Sequence, residues 1–370
     1  MQLYNYRKKK RRRRHVFQSS YQQRYYRKRS KKSGKKTGMI VLILCLVLAG
    51  IAGAGAGGFF YLKESGKNAL MAYAGDVKME MDGSQDKAGL VSRNGKKYRY
   101  NEDIITLLCM GIDQGNENWQ TEAALGENGQ ADAIFLLVLD QKSHRLKLIG
   151  ISRDTMTEIA TYDNQGKYVG ESLNHLALAF SYGKTKEEGA QMTVDAVSKL
   201  FYQLPIHGYA AIDWDALGKI NDSVGGVAVT LMQDMNLGGQ QYYSGERVRL
   251  TGGQAQSYVR HRGGELGSNN ERMQRQRTYV SAFLSEAKAA MKKDMFVAAD
   301  LYQELTADMV TSVGLNEAVY LASLLPSAQF SGEDMMMVEG TVKQGTPYDE
   351  FYVDEDCLTD LILEVFYEEV

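Results

Sequence analysis

Ile104-Ile105-Thr106-Leu107-Leu108-Cys109-Met110-Gly111-Ile112, followed at once by Asp113, is a nearly continuous apolar run that ends on a carboxylate. Polar loops bound it, and an apolar run without alternation is what a strand covered on both faces requires. That requirement points to a layered α/β fold, with helices packed on a sheet. Downstream, residues 133–139 and 145–151 are two further apolar runs joined by Asp140-Gln141-Lys142-Ser143-His144, the pattern of an antiparallel hairpin. Asp132 precedes the first of these and Arg153-Asp154 follows the second, which places all three near the rim where strand ends meet loops. Helices are predicted over 173–182 and 187–204, the second with Val194, Val197, Phe201 and Leu204 at helical spacing before Pro205 stops it. A strand at 209–212, a helix from about Asp213 and an apolar run at 226–231 continue a β-α-β pattern. Further helices are predicted over 276–293, 296–309 and 316–325, then a strand at 335–338 and an acidic amphipathic helix from about Asp354.

Upstream of the first strand the chain divides into electrostatically unlike parts. Residues 1–38 carry 16 of the 44 Lys and Arg and no Asp or Glu, so the remainder holds 44 − 16 = 28 basic against 45 acidic residues, a balance of −17. The basic arm, with Tyr4, Tyr6, Tyr21, Tyr25 and Tyr26 among its cations, has no composition for a core and reads as disordered. Beside a membrane it reads most simply as an anchor to anionic lipid; nucleic-acid binding is the sharper and less favoured alternative. Residues 39–62 contain no charge and are long enough to cross a hydrocarbon core as one helix. The positive charge before them sets the arm in the cytoplasm and everything after Leu62 outside, a single-pass topology at the cytoplasmic membrane. A cleaved signal peptide is the alternative, given the small residues Ala52-Gly53-Ala54. Gly53 and Gly57 make a GxxxG spacing that permits weak helix dimerisation. Residues 63–101, polar and dotted with glycine, read as a stalk, and 102–370 as the outer domain. Cys45, Cys109 and Cys357 make no disulfide framework, and no Cys/His spacing suggests zinc.

The residues with chemistry lie at the strand ends and in one arginine-rich stretch. Asp113 and Asp132, each bordering an apolar strand, are carboxylates of the kind that holds Mg²⁺ together with phosphate and water; each alone is more simply an Asp capping a loop. In Tyr258-Val259-Arg260-His261-Arg262, read as extended, Arg260 and Arg262 share a face, and on the helix that follows Arg272, Arg275 and Gln276 stand at i, i+3 and i+4. Guanidinium forks converging on one point suit phosphate oxygens, whereas the bland reading is a solvated basic face paired with nearby acids. His175 and His261 carry no distinguishing context, and no Ser/His/Asp order, Walker loop or GxGxxG is present.

Taken in order, the segments resemble the LytR-CpsA-Psr family of cell-wall ligases. The marks are Leu108-Cys109-Met110-Gly111-Ile112-Asp113, Ala131-Asp132-Ala133-Ile134, Ile151-Ser152-Arg153-Asp154-Thr155, Leu173-Asn174-His175, Asp222-Ser223-Val224-Gly225-Gly226-Val227, Leu250-Thr251-Gly252-Gly253-Gln254-Ala255, Tyr258-Val259-Arg260-His261-Arg262 and Arg272-Met273-Gln274-Arg275-Gln276. They span about residues 104–284. The resemblance implies a three-layer α/β/α sandwich around a mixed central sheet, preceded by a single transmembrane helix. It implies an Mg-dependent phosphotransferase that moves an anionic glycopolymer, of teichoic acid or capsule type, from a polyprenyl-pyrophosphate carrier to peptidoglycan, with Mn²⁺ as the alternative ion. On this chain Asp113 and Asp132 match the metal-associated acids. Arg153, Arg260, Arg262, Arg272 and Gln276 match the pyrophosphate-binding positions, with Arg275 as the second arginine of that motif. The catalytic set is then Asp132, Arg153, Asp154, Arg260 and Arg262, with Asp132 or Asp154 open as the proton acceptor. Two departures stand out: Gln130-Ala131-Asp132 where the family usually has Arg-Ser-Asp, and Ile151-Ser152-Arg153-Asp154 where it usually has Ile-Pro-Arg-Asp. The first removes a guanidinium and leaves room for a non-catalytic prenyl-phosphate-binding assembly or regulatory protein; a transcription attenuator acting through the basic arm is the third and least favoured reading.

Overall fold

The computed structural model describes residues 56–74, 89–113, 126–163, 165–213, 216–261, 268–293, 305, 308–324, 327–346 and 348–370. Its centre is a six-stranded mixed sheet of β1 (Ile104–Ile112), β2 (Ala131–Asp140), β3 (Leu146–Ile151), β4 (Tyr209–Asp213), β5 (Met309–Thr311) and β6 (Met335–Met337), in the order β5-β4-β1-β2-β3-β6. β1 and β2 pair antiparallel, as do β2 and β3, while β4 lies parallel to β1 and β6 parallel to β3. This pattern brings the C-terminal ends of β1, β3 and β4 and the N-terminal end of β2 to one rim. Asp113, Asp132, Arg153 and Asp213 all stand on that rim.

Helices in chain order are α1 (Ala56–Ala74), α2 (Lys186–Leu200), α3 (Ala216–Ser223), α4 (Gly252–Arg260), α5 (Ser268–Lys293), α6 (Leu315–Leu324) and α7 (Glu355–Phe366). The pleat of β1 sends alternate residues to opposite faces. Leu108, Met110 and Ile112 join Val194 and Val197 of α2 and Leu358 and Ile362 of α7 in one core. Ile105 and Leu107 join Leu70 of α1, Tyr320 and Leu324 of α6 and Leu284 of α5 in another. Helices therefore cover both faces, which is why β1 lacks polar alternation. A third cluster, with Val227, Leu250, Tyr258 and Tyr279, ties α4 and α5 to a small two-stranded sheet of Val227–Thr230 and Arg247–Leu250.

Several expectations are corrected here. Residues 56–74 and 89–101, expected in part as a stalk, are built into the fold: Leu70 is core, and strands Val91–Arg93 and Lys96–Tyr100 form a sheet with Tyr367–Glu369. The helix expected over 173–182 is instead the end of a hairpin, Met156–Tyr162 with Tyr168–His175, followed by one short turn at Leu178–Ser181. Leu173 pairs with Glu158 across that hairpin and is 56% exposed, so the apolar spacing that suggested a helix includes a residue outside the core. The run at 226–231 forms a strand but pairs outside the central sheet. The stretch from Tyr258 is not extended: α4 runs to Arg260, opened by a capping box between Thr251 and Gln254, with Ala255, Tyr258 and Val259 buried at i, i+3 and i+4. The arm at 1–38 and most of the apolar segment at 39–62 lie outside the described residues. Among the described residues no helix is long and apolar enough to cross a membrane, and α1 takes in residues 56–62 of that segment.

One buried group ties stability to pH. His207, beside the start of β4, is buried; the Thr106 amide donates to its Nδ1 at 3.1 Å, and its own amide donates to Thr106 O at 2.8 Å. Burial disfavours the imidazolium and lowers the pKa from 6.5 to about 4. A depressed folded pKa gives stability that is present above the unfolded value and is lost as pH falls from about 6.5 towards 4. Urea unfolding between pH 8 and pH 5 is expected to show a loss of about 2 kcal/mol from this group. His207→Gln, which cannot gain the proton, should remove most of that slope.

Candidate functional site

At the start of β2 the pairing with β1 slips: Ile112 faces Ala131 but Gly111 faces Ala133, so Asp132 is the extra residue of a bulge. A bulge re-aims a side chain at a strand end. Asp132 is 6% exposed, and its carboxylate receives Arg153 Nη1 on one oxygen and lies 3.6 Å from Arg272 Nη1 on the other. Arg153 comes from the turn after β3 and Arg272 from the first turns of α5. The Arg153 fork is engaged on three sides, since Nη2 donates to Gln130 Oε1 at 2.5 Å and Nε lies 3.3 Å from Asp154 Oδ1. One strand over, Asp113 follows β1 and accepts from Arg260 Nη2, the last residue of α4, at 3.0 Å with both side chains half exposed.

Of the residues singled out in the sequence, the structure thus brings together Asp132, Arg153, Asp154 and Arg272 in one cluster and Asp113 with Arg260 in another. Arg275 and Gln276 face the end of α4: Arg275 Nη2 donates to His261 O at 2.6 Å and Gln276 Nε2 to Val259 O at 3.4 Å. Burial lowers the pKa of Arg275. A guanidinium on the last carbonyls of a helix is favoured by the helix dipole, so these two side chains fix the angle between α4 and α5. Arg262 lies outside the described residues. His175 Nε2 pairs with Asp349 O at 3.0 Å, and His261 ends α4.

Two rim residues escaped the sequence reading. Asp213 closes β4 opposite Ile112 and is 1% exposed; it carries the same strand-end signal as Asp113, although the sequence pattern predicts a helix starting there. Lys186 opens α2, is buried, and donates from Nζ to Asn128 O at 2.7 Å. Burial pulls its pKa down to about 8, against the pull of Asp213. Nothing in the sequence marks it. It belongs to a clamp on the segment before β2: Ser181 Oγ donates to Gly129 O at 2.5 Å, and Asn128 donates to Gly183 O and to Thr185 O.

Among the described residues no three His, Cys, Asp or Glu side chains are grouped to hold a metal. Two carboxylates at the ends of neighbouring strands are a donor set for a hard cation whose shell is completed by phosphate and water.

The model of the LytR-CpsA-Psr family matches residues 59–361. This chain belongs to that family. It is 31% identical over 186 residues to the polyisoprenyl-teichoic acid–peptidoglycan teichoic acid transferase TagU of Halalkalibacterium halodurans, a match covering 50% of this chain and 54% of that relative. TagU of Bacillus subtilis is 23% identical over 327 residues, 88% of this chain and 94% of that one. The crystal structure of B. subtilis TagV shares the fold with a TM-score of 0.53 at 22% identity, over 70% of this chain and 95% of that chain.

Proposed function

We propose that the chain is a membrane-anchored phosphotransferase that moves an anionic glycopolymer of the teichoic acid class from a polyprenyl-pyrophosphate carrier to peptidoglycan. The observation that carries this reading is the meeting, on one sheet rim, of arginines from three separate segments with two strand-end carboxylates. The related TagU proteins, named as teichoic acid transferases, support it. The acceptor is a wall sugar hydroxyl. Its oxygen forms the new bond to the sugar-bearing phosphorus, the bond from that phosphorus to the bridging oxygen breaks, and the lipid keeps the other phosphate. Arg153, Arg260 and Arg272 lie where charge grows on the phosphate oxygens, and positioning with charge neutralisation is the main catalytic demand of such a transfer. Asp132 or Asp154 accepts the hydroxyl proton.

Charge counting favours a cation. Arg153 and Arg272 balance Asp132 and Asp154 in one cluster, and Arg260 balances Asp113 in the other, so each is neutral before an anion enters. Mg²⁺ held by Asp113 and Asp132 would neutralise pyrophosphate oxygens. Residues 39–62 serve as the anchor, with the domain outside the cytoplasmic membrane, the arm at 1–38 against anionic lipid and Gly53 and Gly57 at a helix contact.

Full-length protein in vesicles, given a lipid-pyrophosphate-linked saccharide, Mg²⁺ and peptidoglycan fragments, is expected to join saccharide to peptidoglycan and release lipid phosphate. EDTA should stop the reaction and Mg²⁺ restore it. Neither transfer nor release of the saccharide would refute the proposal, and transfer unchanged in EDTA would refute the metal.

A further inference from the structure

We infer that Gln130 is a positioning residue: its side-chain carbonyl holds the Arg153 guanidinium in the phosphate site without cancelling its charge. This rests on the phosphate-binding reading above. Arg153 presents a planar fork with donors on Nε, Nη1 and Nη2. Two directions meet carboxylates, Asp132 at Nη1 and Asp154 at Nε, and the third meets the Gln130 amide oxygen at 2.5 Å. A third carboxylate there would add to the two that already face the arginine. A neutral acceptor orients the fork and keeps the local balance suited to an anion.

The backbone around Gln130 is fixed as a lever requires. Its carbonyl accepts from the Asp113 amide at 3.0 Å, which couples it to the other carboxylate of the rim. The next amide, Ala131, donates to Ala177 O at 3.3 Å, and the Ala177 amide donates to Arg153 O at 3.0 Å, so Gln130 and Arg153 hang on the same strand of residues. On the other side Gly129 and Asn128 are held by Ser181 and Lys186. With both backbones pinned, the side-chain bond fixes the Nη2 corner of a guanidinium whose other donors meet Asp132 and Asp154.

The test is a double-mutant cycle read by binding of geranyl pyrophosphate with Mg²⁺, by calorimetry on the full chain. A hydrogen bond to a charged group is worth about tenfold in an equilibrium constant. Gln130→Leu should therefore weaken binding about tenfold in the parent, and less than about twofold in an Arg153→Met background, because a positioning effect disappears with the residue it positions. Gln130→Asn, too short to reach, should behave like Gln130→Leu, and Gln130→Glu, which keeps an acceptor, should restore the ligand-free coupling to Arg153 seen in thermal unfolding. The same loss in both backgrounds, or no loss in the parent, overturns the inference. If the parent protein does not bind the probe at all, the phosphate reading fails, and the cycle on melting temperature still decides the coupling: additive shifts overturn it.

Discussion

Asp132→Ala is expected to lower the free energy of unfolding by about 3 kcal/mol, near the lower end of the cost of breaking a buried ion pair by removing one partner. The carboxylate is buried on a bulge, and two guanidinium groups, themselves largely buried, are directed at it. Removing it strands positive charge where water cannot replace the lost oxygens. The estimate stays at the lower end because Arg153 retains Gln130 and Asp154. Asp132→Asn keeps the shape and one acceptor oxygen, so its loss should be about half as large. Under the proposed chemistry both variants also lose transfer activity, Asp132→Asn while still folded. Urea denaturation checks the first claim: a loss below about 1 kcal/mol for the alanine variant would show that the arginines find other partners.

How much of this was legible in the sequence depended on whether a feature was local. The run from Ile104 to Ile112 announced a doubly covered strand, and the strand has those bounds. The carboxylates at strand ends were legible because a strand ends where its apolar run ends. The bulge at Asp132 was not, since it exists only in the register with β1. Nor was the contact of Gln130 with Arg153, which depends on a clamp from residues 177–186. Arg260 and Asp113 meet across 147 positions, a distance no spacing rule reaches. The helix through Tyr258 does have a local signal: Thr251-Gly252-Gly253-Gln254 is a capping box, and Ala255, Tyr258 and Val259 follow at helical spacing. The cap outweighs the alternation of Arg260 and Arg262, which alone suggests an extended stretch. The hairpin at Met156–His175 shows the opposite case: Tyr168–His175 has no buried residue, and in Met156–Tyr162 Thr157 and Ile159 alone are buried, so it leaves little apolar alternation to read.

Gly66→Leu sets two known effects against each other, and the structure decides the sign. In an exposed helix, replacing glycine gains about 1 kcal/mol from backbone entropy. Gly66, however, is buried in α1 where a Cβ would stand 2.0 Å from Asn316 O and 2.9 Å from Glu317 N, main-chain atoms at the start of α6. Main chain cannot step aside as a side-chain tip can, so α1 must lift off α6. Lifting exposes Leu70, one turn further on the same face, worth about 2 kcal/mol. It also breaks the bonds from Asn316 to Ser65 and from Tyr73 to Gln191, about 1 kcal/mol each. The loss is then about 4 kcal/mol against a gain of about 1, a net destabilisation of about 3 kcal/mol. Gly66→Ala should follow in the same direction and Glu64→Ala, at an exposed position, should be nearly neutral; a stabilised Gly66→Ala would show that α1 does not dock as described. Because α1 begins within the apolar segment proposed as the anchor and ends in the core, the proposal also predicts an effect of undocking on activity. Undocked, the domain should still bind soluble geranyl pyrophosphate with unchanged affinity while transfer from a carrier embedded in vesicles falls, and a parallel fall in both would place the damage in the site itself.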